Sequence, residues 1–212
     1  MEWCNSDYME VIDFLTHLGL SGIRSVDEIY EAEFKRGNKI VNELPVTMGG
    51  AGAITLLYHS CEYLKANTVV ETGVANGWSS LAILLSLSKR DGQLTSTDMP
   101  YAKMGNEDYV GCVVPENLRK NWELIRNPDI KALPVVLKSH ATYDMCHYDS
   151  DKTYAGRMWA YPKLWKNLRS KGIFVSDDIG DNLAFKEFSE SLNEKPHIIK
   201  FNNQFVGVLI KD

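Results

Sequence analysis

The sequence is short of the features that would take it out of the ordinary globular class. Only four cysteines occur in 212 residues: Cys4, Cys61, Cys112 and Cys146. None forms a C-x-x-C pair, so neither a thiolate zinc motif nor a disulfide framework is suggested, and buried free thiols are expected. No apolar run reaches the roughly 18 residues needed to cross a bilayer. The start of the chain, with Glu2, Asp7 and Glu10, lacks the basic and apolar segments of a signal peptide. A cytoplasmic protein with no membrane partner is the expectation. Basic residues number 23 against 28 acidic, a formal net charge of −5 with no Lys/Arg-rich run, which argues against nucleic acid as a partner. Histidine is scattered: His17, His59 and His197 fall within packed element patterns, and only His140 and His147 lie near the clusters described next.

The most informative stretch is Thr68-Val-Val-Glu-Thr-Gly-Val-Ala-Asn-Gly-Trp-Ser-Ser80. Its β-branched start reads as a buried strand ending in Glu71, and Gly73 and Gly77 let the backbone bend where side chains would collide with a ligand. The amides of Trp78, Ser79 and Ser80 then open a helix. Gln93-Leu-Thr-Ser-Thr-Asp98 reads as the next strand and ends in an acid 21 residues beyond Gly77, a spacing that suits a ribose-binding carboxylate. A nicotinamide-binding fold uses such an acid too, but its G-x-G-x-x-G pyrophosphate turn is missing. A nucleoside cofactor without phosphates, S-adenosylmethionine, fits the turn better, with Glu71 toward its amino-acid end and Asp98 on its ribose.

Along the chain, residues 7–18 and 27–44 carry apolar groups at helical spacing, and Ser25 with Glu28 resembles a capping box. The segment Pro45-Val-Thr-Met-Gly-Gly-Ala-Gly52 breaks the pattern and reads as a lid or a linker, and a helix over 54–64 follows. Beyond it, strands and helices alternate: strand 69–71, helix 79–88, strand 94–98, helix 116–126, strands 135–138 and 145–149, helix 154–168, strand 173–177, helix 183–192. Residues 197–211 read as an antiparallel hairpin about Asn202-Asn203. The fold class is therefore α/β: a Rossmann-like, seven-stranded, mainly parallel sheet with a C-terminal antiparallel hairpin and helices on both faces. Residues 1–46 form an N-terminal helical extension, a lid or dimer contact, and 47–212 the main domain. The long connection 100–115 is a candidate substrate loop, with Tyr101, Met104 and Tyr109 as cover. Trp159 and Trp165 read as core or dimer contacts.

Two acidic clusters stand where strands end, Asp149-Ser-Asp-Lys-Thr-Tyr154 and Ser176-Asp-Asp-Ile-Gly-Asp-Asn182. Ligands of open α/β sheets bind at the carboxyl ends of the strands. Carboxylates gathered there from neighbouring strands repel one another unless a cation enters, and oxygen donors suit Mg²⁺, Ca²⁺ or Mn²⁺. The same acids at helix starts could serve only as caps.

Taken together, residues 47–212 resemble the class I S-adenosylmethionine-dependent O-methyltransferases. Glu71-x-Gly73-x-x-x-Gly77-x-Ser79 is similar to the turn of the small cation-dependent enzymes of caffeoyl-CoA and catechol type. Asp149-Ser-Asp151-Lys152 resembles their D-x-D-K segment, and the run ending in Asp177-Asp178 resembles their strand ending in Asp-Asn. Bacterial natural-product and sugar O-methyltransferases share the wider pattern. The resemblance implies Asp149, Asp177 and Asp178 as ligands of a divalent cation, with Mg²⁺ favoured, and Lys152 or His140 as the base. It places Gly73, Gly77, Ser79 and Asp98 with Glu71 at the cofactor, and Ser139-His140-Ala141 where a Gly-Asp-Ala flanks the adenine. The short interval between Leu137 and Cys146 implies loss of a helix common at this point, and a pocket wall left open or supplied by another subunit. The expected partner is a small hydroxyl-bearing acceptor, a sugar or secondary metabolite, with a homodimer possible. A nicotinamide- or nucleotide-sugar-dependent oxidoreductase and a non-catalytic cofactor-binding module are the alternatives.

Overall fold

The structure, a computed structural model, describes residues 2–99, 103 and 105–212. Its first elements are helix α1 (Glu2–Asn5), strand β1 (Tyr8–Glu10) and helices α2 (Val11–His17), α3 (Val26–Ile29), α4 (Glu31–Asn42) and α5 (Ile54–Leu64). Then come β2 (Thr68–Thr72), α6 (Trp78–Leu87), β3 (Gln93–Thr97), α7 (Glu116–Arg119), β4 (Trp122–Ile125) and α8 (Asp129–Ser139). The chain finishes with β5 (Tyr143–Tyr148), α9 (Tyr154–Asn167), β6 (Leu168–Ser176), α10 (Ala184–Leu192), β7 (His197–Phe201) and β8 (Gln204–Ile210).

One eight-stranded sheet runs in the order β1-β7-β8-β6-β5-β2-β3-β4. All neighbours are parallel except those of β8, which lies antiparallel to β6 and β7. The closing hairpin thus sits where the sequence places it. Alternation along the central strands divides two cores. Val69, Met145, Ile173 and Val175 face α5 and α6, whereas Val70, Cys146 and Phe174 face α8, α9 and α10. Helix α6 is apolar nearly all round, and its buried Leu81, Ile83 and Leu84 contribute about 2 kcal/mol each by leaving water. The four cysteines are free, with Cys112 partly buried and the others buried. Among the described residues no helix is long and apolar enough to cross a membrane.

Several local readings are corrected. Residues 8–10 are extended and add β1 in parallel to the edge strand β7, with Tyr8 opposite Ile198. Helical spacing of the apolar groups overlooked the unpaired backbone that an edge strand offers. Ser25 does cap α3 by position, but its hydroxyl bonds the Asp27 carboxylate rather than a backbone amide. The predicted helix 116–126 stops at Arg119, and its second half is β4, an edge strand too short and too half-buried to alternate clearly.

The predicted strand 135–138 is instead the end of α8. Pro134 and the pair Val135-Val136 argue for an extended chain, since proline inside a helix costs about 3 kcal/mol. What wins is burial at helical spacing: Ala132, Leu133 and Val136 enter the core while Val135 is 58% exposed. Leu133→Ala is therefore expected to cost about 2–5 kcal/mol in urea unfolding. Val135→Thr is expected to stay within about 0.5 kcal/mol. Equal costs would contradict a helix at this position.

Candidate functional site

The chemistry-bearing residues converge because the parallel strands end together. Register sets Glu71 opposite His147, and His147 opposite Val175. Two residues further on, Gly73, Asp149 and Asp177 therefore continue the same row on the α5/α6 face. Backbone bonds extend the ladder into the loops, with Asp149 N–H donating to Thr72 O at 2.8 Å and Asp177 N–H to Tyr148 O at 3.0 Å.

The turn after β2 alternates left-handed residues, Gly73 at φ +80, Ala75 at +47 and Gly77 at +90. Glycine at 73 is also a packing requirement, since a Cβ there would lie 2.3 Å from the Asp149 carbonyl oxygen. Asp98 holds this turn in shape: its Oδ1 accepts the amides of Val74 at 2.8 Å and Ala75 at 3.2 Å. Burial raises the Asp98 pKa, opposed by those two amides. The loop from Asn106 packs on the turn, with Gly111 N–H donating to Ala75 O and Val113 N–H to Asn76 O. Tyr101 and Met104 lie outside the described residues.

A cavity of about 890 Å³ lies over this edge, within the size range of small-molecule sites. Gly73, Ser79 and Asp98 line it together with Asp149, Lys152, Asp177 and Asp178. The glycine-rich segment forms another wall: Gly49–Ala53 border the cavity, Asn76 Nδ2 donates to Gly49 O, and Gly52 stands beside Asp177. Trp159, read as a core or dimer contact, also reaches the cavity, while Trp165 is buried.

Two expectations fail here. Ser139, His140 and Ala141 are not in the cavity lining; they follow α8 at the opposite, entering edge of β5. His140 Nε2 pairs with Thr95 Oγ1 at 2.9 Å, and this location removes it as a base. The place assigned to them is taken by Pro128, Asp129 and Ile130 at the start of α8, so that helix is present and the wall it forms is not left open. Asp129 accepts from Thr97 and Ser150, and burial raises its pKa against those bonds. Asn-Pro-Asp was a legible helix start, hidden by reading residues 116–126 as one helix.

Glu71 lies one layer below the cavity rather than in its wall. It is fully buried, and Oε2 accepts Ser80 Oγ at 2.5 Å and Ser96 Oγ at 2.7 Å. Its Oε1 faces His147 Nδ1 at 3.5 Å, and His147 Nε2 faces Asp177 Oδ1 at 3.5 Å. His147, barely considered from sequence, is thus central. Burial opposes its charge, but Asp177 and Glu71 outweigh burial and hold its pKa up at about 10.

Lys152 bridges Asp149 and, at 2.9 Å, Asp178. Burial would release its proton, yet the carboxylates dominate and raise its pKa. Burial and Asp177 push the Asp149 pKa up to about 6. At Asp177 burial is outweighed by His147, Lys152 and Arg157, and the pKa falls below the usual range. Arg157, fully buried and absent from the sequence reading, donates to the Asp177 carbonyl at 3.3 Å. Asp178 is left-handed at φ +54, with Oδ1 accepting from Gln204 Nε2 at 2.7 Å.

A doubly wound sheet closed by an antiparallel hairpin, with a glycine turn and a ribose-type acid at its carboxyl edge, defines the class I methyltransferase architecture. Residues 70–179 match the family model described as a methyltransferase domain. The chain belongs to that family. Among solved structures it is similar to an O-methyltransferase from Bacillus cereus in complex with SAH, at 13% identity and TM-score 0.66, covering 94% of this chain and 97% of that one. It is also similar to the O-methyltransferase TomG from Streptomyces achromogenes, involved in tomaymycin synthesis and in complex with SAM (15% identity, TM-score 0.63, 94% and 96% covered). A third likeness is to the SAH-bound methyltransferase PaMTH1 of Podospora anserina (14% identity, TM-score 0.61, 85% and 88% covered). At these identities the likeness concerns the fold. No curated protein matches the sequence.

The turn makes a direct prediction. Gly73→Ala, which combines positive φ with a backbone collision, is expected to lower unfolding free energy by at least about 2 kcal/mol. Gly49→Ala, whose Cβ would sit 3.8 Å from Ala75, is expected to be nearly neutral. Urea denaturation of both variants checks the contrast.

Proposed function

We propose that the protein transfers a methyl group from S-adenosylmethionine to a hydroxyl of a small acceptor, a sugar or secondary metabolite, with a divalent cation at the acidic edge. The observation carrying this reading is that a single cavity holds both the Gly73–Ser79 turn with Asp98 and the carboxylates of Asp149, Asp177 and Asp178. The cavity has room for a nucleoside and a small acceptor together.

The residues fit both groups. Asp98 keeps the turn shaped through Oδ1, so its carboxylate is aimed at the cavity in the position suited to ribose hydroxyls. Ser79, in the first turn of α6, and the amides beside it suit the carboxylate of an amino acid. Met99, Pro128 and Ile130 line the cavity together with Asp129, an apolar set with one acid that suits a purine. For a cation, Asp149, Asp177 and Asp178 offer hard oxygens, and burial together with the neighbouring Asp177 raises the Asp149 pKa. These three residues would hold it.

S-adenosylmethionine would supply the electrophilic methyl, and the cation would acidify and fix the acceptor hydroxyl. The chain's part is largely positioning. The turn and Asp98 orient the nucleoside, Gly49–Ala53 and Trp159 bound the acceptor space, and Arg157 steadies the backbone that carries Asp177. Lys152 keeps Asp149 and Asp178 together and places a fixed positive charge beside the acceptor oxygen. As an ammonium it would stabilise a developing alkoxide, and the proton that leaves the acceptor hydroxyl would pass to water in the open cavity.

Titration calorimetry with S-adenosylhomocysteine tests the cofactor, with NAD⁺ as the contrasting ligand. Asp98→Asn keeps the acceptor that shapes the turn but removes the charge, and is expected to weaken binding about tenfold or more. Unchanged affinity removes Asp98 from the ribose site, and binding of NAD⁺ alone overturns the cofactor.

The cation is tested by S-adenosylhomocysteine release over a panel of catechols, other phenols and sugars. Asp177→Asn and chelation by EDTA are each expected to reduce turnover at least about tenfold while leaving cofactor affinity within about twofold. Full turnover in chelator overturns the cation.

A further inference from the structure

We propose that His147 is itself a ligand of the cation, with Glu71 as its outer carboxylate, so that the centre is a mixed imidazole and carboxylate site selecting a transition metal over Mg²⁺. This rests on the cation reading above and changes its donor set.

Strand geometry makes the placement unavoidable. His147 and Asp149 are two apart on β5 and face the same way, and Asp177 comes from the adjoining β6 two residues beyond the register partner of His147. The ligand atoms of His147, Asp149 and Asp177 all lie within 4.8 Å of one another. His147 also borders the cavity, although its side chain is only 1% exposed.

The second observation is a line of unsatisfied polar atoms. Both ring nitrogens of His147 are buried without a hydrogen-bond partner among the described residues, and so is Glu71 Oε1. Glu71 Oε2, by contrast, takes two serine hydroxyls. A closed imidazolium–carboxylate pair would bring nitrogen and oxygen to about 2.7–2.9 Å. Here the separation from Asp177 is 3.5 Å. Two donors each about 2.1 Å from one ion at tetrahedral angles lie roughly 3.4 Å apart, so this gap is ligand spacing rather than hydrogen-bond spacing. On the far side, Nδ1 faces Glu71 Oε1, the arrangement in which a metal-bound imidazole directs its remaining N–H at a carboxylate. Buried polar atoms are rarely left unpaired; one ion at Nε2 would satisfy that nitrogen, and a proton on Nδ1 would satisfy the other two atoms once the ring closes the 3.5 Å that separates it from Glu71 Oε1.

The consequence is selectivity. Mg²⁺ prefers an all-oxygen octahedron, whereas an imidazole donor favours Fe²⁺, Co²⁺, Ni²⁺ or Zn²⁺. In the layer behind, Ser80 and Ser96 anchor Glu71, which fixes the ring through Oε1. Glu71 is on this account a positioning residue rather than a contact of the cofactor.

The test uses the purified full chain, stripped of metal by chelator, and the metals alone. Calorimetry is expected to show Co²⁺ binding at least about tenfold more tightly than Mg²⁺. The proton spectrum of the Co²⁺ form is expected to contain one hyperfine-shifted, solvent-exchangeable imidazole N–H, absent from His147→Gln. Glu71→Gln, a milder change, is expected to weaken Co²⁺ about tenfold and to speed exchange of that proton. Stoichiometric Co²⁺ binding with no shifted imidazole resonance, or equal affinity for Mg²⁺, overturns the imidazole ligand and leaves the carboxylate cation site standing. No binding of either ion overturns both. Should His147→Gln fail to fold, the wild-type spectrum and Glu71→Gln decide.

Discussion

The structure depends on one electrostatic constraint: parallel strands that end together deliver their carboxylates to one place. Glu71, Asp149, Asp177 and Asp178 come from three adjacent strands, and the register that buries Val69, Met145, Ile173 and Val175 on the α5/α6 face is the register that aligns these acids. The chain cannot have that core without that concentration of charge. Lys152, His147 and Arg157 answer it, each from a different position: a strand-to-helix segment, the strand β5 and the interior of α9. Their unequal placement differentiates the acids. Asp177, close to all three, stays anionic below the usual range, whereas Asp149 titrates near 6.

Much of this was legible because the strongest signals are short and local. Gly73 and Gly77 announce a turn with positive φ, and both have it. Asp98 follows a strand rich in threonine and does sit in the cavity beside that turn. The hairpin about Asn202-Asn203 follows from two apolar stretches and a left-handed turn residue, Asn202 at φ +54. What escaped was decided by tertiary packing. Strand β4 is an edge strand with a polar face, and α8 contains a proline and a β-branched pair, so each presents the wrong local character. Exchanging the two moved the reading along the sequence by about ten residues, from Pro128–Ile130, which line the cavity, to Ser139–Ala141, which do not. One false strand replaced one real one, so the seven strands read from the sequence fall short of the eight in the sheet only by β1.

His147 escaped for a different reason. A single histidine in an apolar run carries no motif, and burial is its ordinary fate. Its meaning comes from cross-strand neighbours, Glu71 on β2 and the extension of β6 toward Asp177, which are far apart in sequence. Arg157 is similar: it lies inside an amphipathic helix, and only the fold shows that its guanidinium is wholly buried against the loop bearing Asp177. Residues that touch a ligand tend to sit at strand ends, where sequence patterns point. Residues that hold those in place sit one layer deeper, where only register reveals them.

That deeper layer also explains why the cofactor turn and the acidic edge behave as one unit. Gly73 has no room for a side chain because the backbone of Asp149 passes against it, so the turn can move only if the end of β5 moves. Asp98 clamps the same turn from the other side through two amides. Gly52, likewise at positive φ, brings the wall segment beside Asp177. Each glycine is a point where backbone replaces side chain between the nucleoside half of the cavity and its acidic half. A displacement of either half is therefore carried to the other through these contacts, and in the function proposed above the sheet, rather than mobile side chains, would set the distance between a nucleoside and an acceptor. For a reaction whose rate rests on alignment of three atoms in a line, that rigidity is the fold's main contribution.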